Sequence, residues 1–169
     1  MRTIFAATLF AAALTTTASA EDKPAPQVAE IKKLIGNWSG KGSITSEGKK
    51  YAVTMNYECV ESTGGAGVRC KSTIVGLPGF TYQFDDLWGF STTDNLVHWY
   101  TVTNAGEVHD HRGHLDATSG YLAVEQPVDG KLLSEQITIK RGAKTFTMSW
   151  VTMHGLTQRE RGEIKLETK

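Results

Sequence analysis

Apolar and polar residues alternate along most of the chain, with the period of two residues that is typical of β-strands. The clearest examples place Val53, Met55, Tyr57 and Cys59 on one face of a segment, and Phe146, Met148 and Trp150 on one face of another. Polar residues occupy the intervening positions, so each predicted strand has one apolar face and one polar face.

Nine turn signals divide this alternating region into ten segments, many of them 8 to 12 residues long. The signals contain Gly, Pro, Asn or Asp and fall at 47–48, 64–65, 77–79, 93–95, 104–106, 119–120, 129–130, 141–142 and 154–155. Tight turns between consecutive strands predict an antiparallel meander, and a ten-stranded meander hides its two edges most easily by closing into a barrel. The predicted fold class is therefore all-β.

One segment, residues 27–36, has the spacing of a helix instead. Val28, Ile31, Leu34 and Ile35 recur at helical intervals, and Gly36 stands where a C-terminal cap is expected. We therefore expect a short N-terminal helix before the first strand.

The first 20 residues have the pattern of a secretory signal peptide. Arg2 gives a positive start, an apolar run covers residues 4–14, and Ala18-Ser19-Ala20 supplies the small residues that precede a cleavage site. We expect cleavage before Glu21, a disordered polar leader over residues 21–27, and one barrel domain over residues 28–169. The expected location is the periplasm or the outside of the cell.

Charge and composition narrow the functional classes. The sequence has 18 Lys and Arg against 18 Asp and Glu, and loss of Arg2 with the signal peptide leaves 17 against 18. A net charge of −1 without a long charge run argues against a nucleic-acid partner. No apolar stretch of about 20 residues follows residue 20, so no membrane span is expected. Motifs for a nucleophile elbow, a phosphate loop or a zinc-protease helix are absent, which favours a protein that is not an enzyme. The oligomeric state is left open.

The two cysteines of this exported chain are expected to form a structural disulfide. If Gly64-Gly65 forms a two-residue hairpin turn, facing residues have numbers that sum to 129, which places Cys59 directly opposite Cys70. A metal or redox pair is less favoured, because such sites usually have Cys-x-x-Cys spacing.

The segment Leu34-Ile35-Gly36-Asn37-Trp38-Ser39-Gly40-Lys41-Gly42 resembles the Gly-x-Trp motif that opens the first strand of calycin barrels. It is also similar to nitrobindin-type haem barrels and to the uncharacterised lipocalin-like domains of exported bacterial proteins. The resemblance implies a calycin-like barrel in which Trp38 plugs the floor, while Gly36 and Gly40 let the first strand coil. It further implies haem ligation by a C-terminal histidine, for which His154 is the one candidate. The sequence around His154 does not reproduce that pattern, so haem is not favoured.

Four of the five histidines lie in one predicted hairpin with a loop at 104–106, in which facing residues sum to 210. Glu107, His109 and His111 share one face, and the His-x-His pattern is one that can bind zinc or copper. A divalent metal at these three residues is one hypothesis. Ordinary polar residues on a barrel wall are the simpler alternative.

The opposite face of the same hairpin carries His98, Tyr100, Asp110 and Arg112. These side chains are predicted to form a hydrogen-bonding cluster inside the barrel that fixes one polar end of a ligand. The apolar part of the ligand would contact Met55, Tyr57, Phe146, Met148 and Trp150.

The leading functional prediction is an exported barrel that binds a small, largely apolar molecule in its interior. A metal-binding protein or metal-dependent enzyme built on the His-x-His hairpin is the first alternative. The second is a fully packed barrel that acts on a protein partner through its outer surface.

Overall fold

A computed structural model describes residues 25–169, so the predicted signal peptide and most of the leader lie outside the described residues. The described chain forms a helix followed by ten strands. Their bounds are α1 Pro26–Lys32, β1 Gly36–Ser46, β2 Lys49–Ser62, β3 Gly67–Leu77, β4 Phe80–Ser91, β5 Leu96–Thr103, β6 Val108–Leu115, β7 Ser119–Val128, β8 Lys131–Arg141, β9 Thr145–His154 and β10 Thr157–Thr168.

The ten strands form an antiparallel meander that closes into a barrel. Each strand pairs with its neighbours in sequence, and β1 pairs with β10 to complete the ring. Closure gives every strand two hydrogen-bonded partners and leaves no open edge. The predicted fold class, with its short helix and one disulfide, is confirmed.

The strand registers are those predicted, with the numbers of facing residues summing to 129 between β2 and β3 and to 210 between β5 and β6. Cys59 lies opposite Cys70 and forms the expected disulfide, and both residues point into the barrel interior. The connecting turn is longer than predicted, because Ser62 pairs with Gly67 and leaves four residues between the strands. In the histidine hairpin Thr101 pairs with His109 and Trp99 with His111, as the sum of 210 requires.

Helix α1 packs across one end of the barrel, against β3, β4 and β6. It begins at Pro26, two residues before the predicted domain boundary, and buries Ile31 and the following Leu34. Arg141 ties it to the wall by donating to the Glu30 carbonyl oxygen at 2.9 Å. The prediction that Gly36 is the C-terminal cap of this helix is wrong. Gly36 is the first residue of β1, with a φ of +136°.

The barrel has a closed half and an open half. The closed half lies next to α1, where Trp38 donates from Nε1 to the Leu34 carbonyl at 2.8 Å and packs near Phe146. Tyr57, Trp88 and Phe146 help to fill this half. The turns at 47–48, 78–79, 104–106, 129–130 and 155–156 surround the opposite end, which α1 does not cover. No helix within residues 25–169 is long and apolar enough to cross a membrane.

Candidate functional site: a cavity in the open half of the barrel

A cavity of about 140 Å³ occupies the open half of the barrel. Inward-facing side chains from nine of the ten strands supply most of its wall, and a mouth lies between the turns of the uncovered end. The lining residues are Ile44, Met55, Ser72, Ile74, Leu77, Tyr82, Phe84, Trp99, Thr101, Thr103, Glu107, His109, His111, Glu135, Ile137, Met148, Trp150 and Glu160. The wall is thus mainly apolar and aromatic, with a defined set of polar groups.

A buried histidine and a carboxylate form one polar contact of the wall. His111, only 2% exposed, approaches Glu135 with Nε2 2.9 Å from Oε1. The other carboxylate oxygen accepts a hydrogen bond from the Thr152 hydroxyl at 2.5 Å. Burial raises the pKa of Glu135, but the bond and charge of His111 and the Thr152 bond outweigh it, so the net pKa is lowered. Glu135 is therefore an ionised acceptor, and His111 donates to it from Nε2.

A second carboxyl group, Asp86, is buried between this cavity and the closed half. Its Oδ1 accepts from the Thr101 hydroxyl at 2.8 Å, and the neighbouring Tyr57 hydroxyl accepts from Trp88 Nε1 at 2.8 Å. Burial raises the pKa of Asp86 to about 6, against the opposing effect of nearby donors, first the Trp99 indole and then the Thr101 hydroxyl. Near neutral pH, Asp86 is thus a charged group in a site that disfavours charge.

Two more carboxyl groups, Glu107 and Glu160, lie at the mouth of the cavity. Glu107 accepts a hydrogen bond from the Tyr82 hydroxyl, and Glu160 accepts from Trp150 Nε1 at 2.8 Å. Burial, together with the charges of Glu135 and Glu107, raises the pKa of Glu160. The carboxyl groups of the cavity therefore lie close enough to repel one another.

Three polar atoms of the lining residues lack a hydrogen-bond partner within the described part of the chain. They are Ser72 Oγ, Trp99 Nε1 and His111 Nδ1, and each belongs to a residue at least nine-tenths buried. A buried polar group without a partner costs about 1–3 kcal/mol. All three belong to residues of the same cavity wall, and the Trp99 indole N–H lies near enough to Asp86 to lower its pKa.

No protein-family model matches the sequence, and no curated protein matches it. The chemistry of the cavity is therefore inferred from its geometry.

The structure brings three of the five predicted apolar contacts to the cavity. Met55, Met148 and Trp150 line it, whereas Tyr57 and Phe146 lie in the closed half. All five side chains point inward from β2 or β9, but Tyr57 and Phe146 lie nearer to the end that α1 covers.

The predicted interior cluster of His98, Tyr100, Asp110 and Arg112 is wrong, because these side chains lie on the outer face of β5 and β6. They do form a cluster there: His98 Nδ1 lies 3.0 Å from Asp110, and Arg112 Nε donates to Asp110 at 2.6 Å. Trp99, Thr101 and Thr103 alternate with them and take the inward positions, since burying indole is more favourable than burying Arg112.

Glu107, His109 and His111 do face inward, but each has another role. His111 contacts Glu135, Glu107 contacts Tyr82, and His109 Nδ1 lies 3.4 Å from the Gln126 amide. Within residues 25–169, no three His, Cys, Asp or Glu side chains are arranged to hold a metal ion. The structure therefore does not support the predicted zinc or copper site.

His154 does not fit the role of a haem ligand. It lies at the end of β9, outside the cavity lining, and its Nε2 donates to the Val128 carbonyl at 3.1 Å. The described residues thus do not fit a haem that this histidine would hold.

The sequence interpretation missed Asp86, Glu135 and Glu160. Each stands in the inward phase of its strand, two residues from an apolar or glycine position: Asp86 before Trp88, Glu135 before Ile137, and Glu160 before Gly162. A charged residue within an otherwise apolar face was the signal that could have found them.

Proposed function

We propose that this protein is an exported, calycin-like barrel that binds a small, largely apolar ligand in the open half of its interior, without catalysing a reaction on it. The observation that carries the proposal is the mainly apolar cavity, which opens away from α1 and is lined by residues of nine strands. A disulfide is typical of proteins in oxidising compartments, which supports export.

The volume of the cavity limits the size of the part of the ligand that it can enclose. A dry cavity of about 150 Å³ lined by apolar side chains is large enough to bind benzene. The present cavity, at about 140 Å³, suits one aromatic ring or a short branched chain, and the mouth leaves room for a substituent. Small aromatic alcohols are therefore suitable probes.

The test compares a variant that fills the cavity with one that adds the same side chain outside. Ile137 lies on the cavity wall and Thr138, its neighbour on β8, is exposed on the outer face. Ile137→Phe is expected to abolish the thermal stabilisation that benzyl alcohol gives the wild type, and Thr138→Phe is expected to retain it. Circular dichroism establishes that both variants are folded. Equal stabilisation of all three folded proteins, or no binding to the wild type, would overturn the proposal.

A further inference from the structure

The cavity combines aromatic walls with an excess of acidic groups. Its lining contains the carboxyl groups of Glu107, Glu135 and Glu160 but no Lys or Arg. The basic groups of the lining are two imidazoles, and burial lowers the pKa of one of them, His109, which favours its neutral form. The charges of the lining are therefore unbalanced in the negative direction.

From this arrangement we infer that the ligand is an organic cation, whose ammonium group lies among Glu107, Glu135 and Glu160 and whose apolar part contacts the aromatic wall. The inference rests on the proposed function, and it adds the chemical class of the ligand. It also excludes fatty acids and other carboxylates as preferred ligands, because the same groups repel an anion.

The strand register brings two of the carboxylates together. Glu135 on β8 and Glu160 on β10 both pair with Thr152 on the strand between them, so they are cross-strand neighbours on the inward face. Glu160 uses Oε1 to accept from Trp150, and Glu107 uses Oε2 to accept from Tyr82. The second oxygen of each group has no protein donor within residues 25–169 and is free to accept from an ammonium group.

The aromatic residues of the wall favour the same ligand class. Tyr82 and Phe84 lie 4.6 Å apart between ring centroids, and Trp99 and Trp150 form other parts of the wall. The faces of such rings attract cations as well as apolar groups.

Three probes of nearly equal shape test the inference by titration calorimetry at pH 7: benzylamine, benzyl alcohol and benzoate. We expect benzylamine to bind about ten-fold more tightly than benzyl alcohol, since a charge-assisted hydrogen bond adds about that much. Benzoate is expected to show no binding. If benzyl alcohol binds as tightly as benzylamine, the cation inference fails while the proposed function stands. If none of the three binds, both fail.

Variants then locate the positive charge. Glu160→Gln keeps an acceptor for Trp150 but removes the charge, and it is expected to weaken benzylamine about ten-fold while leaving benzyl alcohol unchanged. Glu163→Gln is the matched control, because Glu163 lies on the same strand, is exposed and points outward toward Ser149. Glu135→Gln serves as a second interior variant. Benzylamine binding that all three variants leave unchanged would place the cation outside the cavity and overturn the inference.

Discussion

Asp86→Asn is expected to change how the stability of the barrel depends on pH. Asp86 is 2% exposed and its pKa is raised from 3.8 to about 6, with burial as the main cause. Between these two pH values the folded protein holds a proton that the unfolded chain has released, so wild-type stability falls as the pH rises. A pKa shift of one unit corresponds to about 1.36 kcal/mol. The shift of Asp86 therefore lowers the unfolding free energy of the wild type by about 3 kcal/mol in total once the pH is well above 6.

The asparagine variant lacks this titration. The amide oxygen of the asparagine still accepts the hydrogen bond from Thr101. If its amide N–H group finds no acceptor, the unfolding free energy is lowered by the same amount at every pH. The informative quantity is therefore the difference in unfolding free energy between variant and wild type, followed across pH. That difference should move by about 2.5 kcal/mol in favour of the variant between pH 4 and pH 8.

Urea denaturation, followed by tryptophan fluorescence at several pH values, measures this difference. Asp85→Asn is the neighbouring control, since Asp85 points outward and Arg69 lowers its pKa by hydrogen bonding. The Asp85 contribution is lost mainly below pH 4, so the difference for this variant should stay nearly constant from pH 4 to pH 8. A difference for Asp86→Asn that stays constant from pH 4 to pH 8 would refute the assigned burial penalty.

Three further variants test the packing and the disulfide of the barrel. Gly162→Ala places a methyl group 2.2 Å from the Trp150 ring, so we expect a loss of about 1–3 kcal/mol and altered tryptophan fluorescence; unchanged stability and spectrum would contradict the contact. Replacing Cys59 and Cys70 together by Ala should cost about 2–3 kcal/mol in urea denaturation, and a reductant should abolish the difference from wild type. Ile31→Ala should lower the unfolding free energy by about 2–5 kcal/mol, because this fully buried side chain anchors α1; a loss below 1 kcal/mol would show that the helix does not contribute to the core.

Local signals in the sequence were sufficient to predict most of the fold. Alternation and turn residues act over a few neighbours, and they gave the strand order and both checked registers. The errors in the element boundaries arose at residues whose type is typical of more than one local structure. Gly36 begins a strand instead of ending a helix, and the predicted turn at Ser119-Gly120 lies at 116–118. There Asp116 accepts from the backbone N–H groups of Thr118 and Ser119, which lowers its pKa to about 2.

The cavity was harder to predict because alternation gives the face of a side chain but not its depth. Met55 and Tyr57 share a strand face, yet one lines the cavity and the other fills the closed half. The direction of the β5–β6 hairpin was also ambiguous, because polar residues occur on both of its faces. Its direction follows from whole-barrel packing, in which Trp99 stacks on Trp88 with centroids 4.6 Å apart.

The central claim is that a small ligand enters the open half of the barrel, and methionine methyl NMR tests it most directly. The mature chain would contain Met55, Met148 and Met153, of which the first two line the cavity and the third does not. On titration with benzylamine, the methyl resonances of Met55 and Met148 should shift together and saturate, while that of Met153 stays in place. Saturation of a shift at Met153 alone, or no saturable shift at Met55 and Met148, would contradict the claim.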